Sequence, residues 1–189
     1  MKLPRTYVGK GHETIGSDIL AVVRALERLG TAESATRLFG AEWAARLLAV
    51  DPEGWYPIAM LLEALDHVLQ RVGENGVRRA GRELFRLSHE SRVAPTSARD
   101  IVYGIDTMYK HANRGVGIGG WEVVVFEPGR AELVKTTPHL CLLEEGILSE
   151  GLSVAGARSL VTQSDCIRRG ADACRFVITS SVTDQRWQP

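Results

Sequence analysis

The stretch Trp121–Thr179, WEVVVFEPGRAELVKTTPHLCLLEEGILSEGLSVAGARSLVTQSDCIRRGADACRFVIT, decides the fold. At Gly120 the hydrophobic period changes from that of a helix to that of a strand. Trp121–Phe126 is β-branched and aromatic, as strands prefer. Glu127-Pro128-Gly129-Arg130 reads as a turn and AELVKTT returns, which makes a hairpin. An apolar helical stretch then opens at Cys141. A second hairpin follows, Arg158–Cys166 and Cys174–Thr179, joined by IRRGADA. The order ββαββ over residues 115–182 predicts a four-stranded, mostly antiparallel sheet packed on helices.

Residues 1–114 read as mostly helical. Ser17 caps SDILAVVRALERLG, where Ile19, Val22, Val23, Leu26 and Leu29 recur at helical spacing and Gly30 ends the run. Thr31 caps TAESATRLFG, and AEWAARLLAV follows until Asp51-Pro52-Glu53-Gly54 breaks it. A longer helix from Pro57 to Val72 carries Ile58, Leu61, Leu62, Leu65, Val68 and Leu69. VRRAGRELFRLSHES and a Ser97-capped SARDIVYGIDTMYKHANRG complete this half. The fold class is therefore α+β, with residues 1–182 as a single domain. Residues 183–189 show no period and are expected to form a flexible tail.

Composition narrows the function classes. Lys plus Arg (23) equal Asp plus Glu (23), without the basic excess of nucleic-acid binders. The near-neutral charge leaves association with a second copy open. No run of eighteen apolar residues is present and the first residues lack an apolar signal core, so a cytoplasmic protein with no membrane partner is expected. Three cysteines in 189 residues do not suggest a disulfide framework.

Motifs for familiar chemistry are incomplete. Gly115, Gly117 and Gly120 form GxGxxG, but a helix precedes and a strand follows, the reverse of a dinucleotide site. His12-Glu13 and His89-Glu90 lack the second His of a zincin. Arg78, Arg79, Arg82 and Arg86 form a basic run on one helix, read as a solvated face paired with acids such as Glu83 and Glu90. Cys141, Cys166 and Cys174 open a helix, end a strand and begin a strand, so one helix and one hairpin can gather them. Zinc would need these thiolates plus a fourth donor or water, and His139, Asp165 and Glu144 are the nearby candidate donors.

Cys141, Gly146, Gly151, Cys166, Gly170 and Cys174-Arg-Phe resemble the C-terminal signature of the 4-vinyl reductase domain family. That family is related to the sensory domains of phenol- and xylene-responsive regulators, to haem-NO-binding domains and to trafficking-complex subunits. WYPIAMLLEALDHV and GRELF are also similar to a bacterial domain expanded as paralogues in myxobacteria. The resemblance implies helices on an antiparallel sheet, often dimeric, with a pocket between them for a small hydrophobic or aromatic molecule. It implies a three-cysteine zinc site at Cys141, Cys166 and Cys174, completed in the aromatic sensors by a Glu three residues before the second cysteine. Here that position is Gln163, a neutral amide and a poor zinc ligand. It further implies that Trp121, with His89 or His111, anchors a phenolic hydroxyl.

These readings predict a non-enzymatic domain that senses a hydrophobic or aromatic ligand or binds a protein partner. Phe85, Ile105, Val123, Val125 and Leu142 are expected to wall the pocket. No cofactor is expected, the three thiols clustering reduced and without metal, with zinc as the alternative. The competing readings are an enzyme of tetrapyrrole-type reduction and a structural homodimer.

Overall fold

The computed structural model describes residues 11–27, 37, 39–90 and 94–188. The first ten residues and most of the Thr31-capped segment lie outside the described residues. A short strand β1 (Glu13–Ile15) leads into helix α1 (Gly16–Glu27). Helix α2 (Ala41–Leu48), strand β2 (Trp55–Pro57) and helix α3 (Ile58–Arg71) follow. Helix α4 (Glu74–Leu84) is prolonged by a π-helical turn, Phe85–His89. Helix α5 (Ala98–Ala112) is capped by Ser97, as the sequence predicts, in a full capping box with Asp100, and runs into β3 (Asn113–Arg114).

The second half is ββαββ. Strands β4 (Trp121–Glu127) and β5 (Arg130–Lys135) precede helix α6 (Cys141–Val154), and β6 (Leu160–Asp165) and β7 (Cys174–Thr179) follow. They form one antiparallel sheet in the order β4-β5-β7-β6. The α+β class and the four-stranded sheet on helices stand as expected. A second, three-stranded sheet, β2-β1-β3, was not predicted, because strands of two or three residues are too short to display a period. Among the described residues no helix is long and apolar enough to cross a membrane.

The C-terminal residues differ from the expected flexible tail. Asp184 accepts a hydrogen bond from the Arg186 N–H at 3.0 Å and caps a 3-10 turn, Gln185–Trp187. Trp187 is 1% exposed and stacks on Phe126 with ring centroids 5.8 Å apart. One buried indole orders a segment that carries no periodic signal.

Two contacts position α6, the helix on which the site is built. The first is backbone to backbone. A Cβ on Gly146 would lie 2.1 Å from the Arg78 carbonyl oxygen, and one on Gly81 would lie 2.0 Å from that of Leu143. Helices α4 and α6 can approach this closely only because both positions lack a side chain. The arginine run follows the same seam. Arg78 reaches Glu145 at 2.6 Å and Arg86 reaches Glu150 at 2.8 Å, so part of the run pairs across to α6 rather than only along its own helix.

The second contact is a buried ion pair. Ala131, Leu133 and Lys135 alternate toward the core from β5. Lys135 Nζ lies 3.7 Å from Glu144 Oε1 on α6, with side chains 0% and 2% exposed. It also donates to the His139 carbonyl at 2.7 Å and to Thr137 Oγ1 at 3.3 Å. Burial opposes the Glu144 charge, yet Lys135 and then His139 outweigh it and hold the carboxyl below its ordinary value of 4.5.

Two outcomes are expected. Gly146→Ala destabilises the protein by about 1–3 kcal/mol in urea unfolding, through forced separation of α4 and α6. Glu144→Gln costs about 3–5 kcal/mol by leaving the Lys135 ammonium buried without its counter-charge. The Glu144 contribution is fully present above pH 4.5 and is lost as pH falls through the lower folded value. Wild-type stability therefore drops on acidification below that point, and the Glu144→Gln protein loses less over the same range.

Candidate functional site

The structure brings the three thiols together. Cys141 is the first residue of α6, Cys166 follows the last residue of β6, and Cys174 is the first residue of β7. A register shift between Gln163 and Asp165 and a 3-10 turn, Ile167–Arg169, fold the end of β6 back over the start of β7. Cys141 and Cys166 Sγ are 3.9 Å apart, and all three sulfurs lie within 4.8 Å of one another. All three cysteines are free and buried. Sulfurs bound to one tetrahedral ion at about 2.3 Å stand about 3.8 Å apart, so the cluster is close to metal-binding geometry as it is.

Charge around the cluster is positive. The register aligns Trp121, Lys135 and Cys174 across three strands, which places the Lys135 ammonium beside the sulfurs. The Cys174 sulfur lies against the Cys141 thiol and accepts a hydrogen bond from the Ile167 N–H at 3.3 Å. With Lys135 nearby, these hold its thiol below the ordinary range despite burial. Contact with Cys174 and burial push the Cys141 thiol up. Arg168 flanks the other side, with its side chain 10% exposed and Nη1 3.8 Å from Asp66 Oδ1.

The fourth-donor candidates are engaged elsewhere. His139 Nδ1 faces Glu144 Oε1 at 3.2 Å, and Asp165 sits 3.7 Å from Arg175. The Gln163 amide donates to the Asp165 carbonyl at 3.0 Å. Gln163, Cys141 and Cys166 nevertheless line one open pocket of about 320 Å³ with Leu69, Leu142 and Arg168. That volume lies in the range of small-molecule sites.

Of the expected ligand contacts, Phe85 and His89 lie together, with ring centroids 6.4 Å apart, and neither they nor Trp121 and His111 line this pocket. Phe85 is fully buried in the π-helical turn against the position of Gly151. Trp121 is buried against Phe176, with ring centroids 5.3 Å apart, and its indole N–H has no partner. His89 is buried and lines a small interior cavity. His111 is exposed, because the inward face of α5 carries Ile101, Val102, Ile105, Met108, Tyr109 and Ala112. Sequence reasoning named His139 and Glu144 as metal donors but not as partners of each other, and it missed Lys135 and Arg168 as parts of a site. Strand alternation that places Lys135 among inward residues was the available signal for the lysine.

No protein-family model and no curated protein matches the chain. Solved structures do share its fold. It is similar to an H-NOX protein from Shewanella oneidensis in the Fe(II) ligation state, at 17% identity and TM-score 0.71, covering 92% of this chain and 100% of that one. It is also similar to an Fe(II) unliganded H-NOX protein from K. algicida, at 10% identity and TM-score 0.69, covering 92% and 100%. The haem-NO-binding part of the resemblance is thus borne out as a fold.

The expectation of no cofactor is corrected by the same finding. The neighbours carry Fe(II), one of them in an Fe(II)NO state, and a further one, at 13% identity, concerns haem redox potential and porphyrin distortion. Haem is therefore the group this fold implies. The residues of this chain, as packed, do not fit it. The interior cavity, lined by His89, Tyr109, Asn113, His139 and Glu144 among others, measures about 10 Å³. A macrocycle needs a pocket of several hundred Å³. His139 Nε2 is buried there without a partner while Nδ1 faces the Glu144 carboxylate, an orientation that metal-ligating histidines share. The donor is suitable, but the space around it is filled.

Replacing Lys135 removes a positive charge from beside Cys174 and raises its pKa. Lys135→Met therefore slows alkylation of Cys174 by iodoacetamide at neutral pH several-fold. Peptide mass spectrometry, on protein shown by circular dichroism to be folded, checks this.

Proposed function

We propose that this chain is a sensing domain that binds a small molecule at the thiol-floored pocket. The single observation that carries the reading is the gathering of Cys141, Cys166 and Cys174 within 4.8 Å, with Cys141 and Cys166 lining an open pocket of about 320 Å³. The thiols hold a thiophilic metal ion. Three thiolates on a divalent ion leave a net negative charge, which the Lys135 ammonium and the Arg168 guanidinium offset. A three-ligand set keeps one coordination position for water or a ligand donor, the arrangement of a reactive rather than a purely structural ion. Gln163, in place of a carboxylate, leaves that position without a strong protein donor.

The H-NOX neighbours support a sensing role through their fold, and the resemblance to aromatic-sensing domains supports a hydrophobic or aromatic ligand. Leu69, Leu140 and Leu142 supply apolar wall for one. Ligand binding would bias the packing of α6, and a second copy or a protein partner reads the change.

Cobalt(II) titration tests this reading. The wild-type protein takes up about one equivalent with thiolate-to-cobalt charge-transfer absorption, and Cys166→Ser abolishes that band. Absence of the band in folded, reduced wild-type protein overturns the metal reading.

A further inference from the structure

The pocket beside the thiols is lined by a cation, Arg168, with one donor nitrogen unused. Arg168 Nη2 is buried and has no hydrogen-bond partner, so no sulfur, carboxylate or carbonyl of the described residues satisfies it. The side chain is nine-tenths buried, and its other nitrogen faces Asp66 at 3.8 Å. Leaving a guanidinium N–H dry and unpaired is costly. The same pocket receives the N-terminus of α6, a fourteen-residue helix whose N-cap, Leu140, supplies no side-chain hydrogen bond. The first amide N–H groups of such a helix lack intrahelical partners and carry partial positive charge.

The rest of the lining is consistent with this polarity. Arg168 and Arg169 both line the pocket, and Arg169 Nη2 makes one contact, at 3.3 Å, to the Ser164 carbonyl. Glu74 and Glu145 also line it, but Arg78 spans both at 3.1 and 2.6 Å. The three arginines therefore outnumber the two glutamates, and the unpartnered donor belongs to an arginine. Leu69, Leu140 and Leu142 form the apolar wall.

We infer that this pocket is a binding site for a small amphipathic anion, its oxyanion end held by Arg168, Arg169 and the α6 N-terminus and its apolar body held by the three leucines. A carboxylate and a phosphate ester share the required chemistry. The inference rests on the pocket being the ligand site, but not on a metal being bound.

Isothermal titration of the full chain, treated with chelator, tests it with hexanoate, hexyl phosphate, hexan-1-ol and inorganic phosphate as probes. Hexanoate or hexyl phosphate should bind at least about tenfold more tightly than hexan-1-ol, the usual order for one charge-assisted bond. The tighter of the two identifies the oxyanion. Arg168→Gln should remove that preference. Arg169→Gln, at an exposed position, should reduce it several-fold and serves as the second variant if Arg168→Gln fails to fold. Equal binding of hexan-1-ol and both anions overturns the inference but leaves the ligand pocket intact. Inorganic phosphate binding as tightly as hexyl phosphate overturns the amphipathic class. No binding by any probe overturns the inference together with the pocket reading.

Discussion

The buried ammonium of Lys135 is the constraint on which the rest of the structure depends. A lysine with no exposed surface must find a counter-charge, and Glu144 on α6 provides it. That pairing fixes how the helix lies on the sheet. It sets the first turn of α6, and so Cys141, over the β6–β7 hairpin. The close approach of Gly81 and Gly146 holds the same helix from the opposite side. Between a charged sheet residue and a glycine seam, α6 has little freedom, and the thiols inherit that precision.

Much of this order is legible in the sequence because it is periodic. The change of period at Gly120, the turn at Pro128-Gly129 and the Ser97 capping box each have a local physical cause, and each appears where the residues place it. Other features have no local cause. The short strands of the second sheet draw their pairing from residues a hundred positions apart, such as Glu13 and Arg114. Trp187 is ordered by stacking on Phe126, which no pattern in its own segment announces. His111 faces outward because the phase of α5 is set by its apolar residues, and a histidine exerts no comparable pull.

The site divides in the same way. Cysteine spacing is enough to predict that a helix and a hairpin meet. It says nothing of Arg168, whose placement depends on a 3-10 turn, or of Lys135, whose partner is nine residues away on another element. The fold is shared with H-NOX proteins, yet the space between helices and sheet is occupied here by a polar network of Lys135, Thr137, His139 and Glu144. Two proteins with one backbone plan can thus place their chemistry differently, because function resides in the side chains a fold presents. In this chain the three thiols gather beside an open pocket instead.

A crystal structure of the protein grown with cobalt(II), with data collected at the cobalt edge, tests whether the three thiols share one metal ion. One anomalous peak is expected about 2.3 Å from the sulfurs of Cys141, Cys166 and Cys174, with Lys135 still paired to Glu144. A peak elsewhere with the three sulfurs empty, or sulfurs too far apart to share an ion, would contradict it.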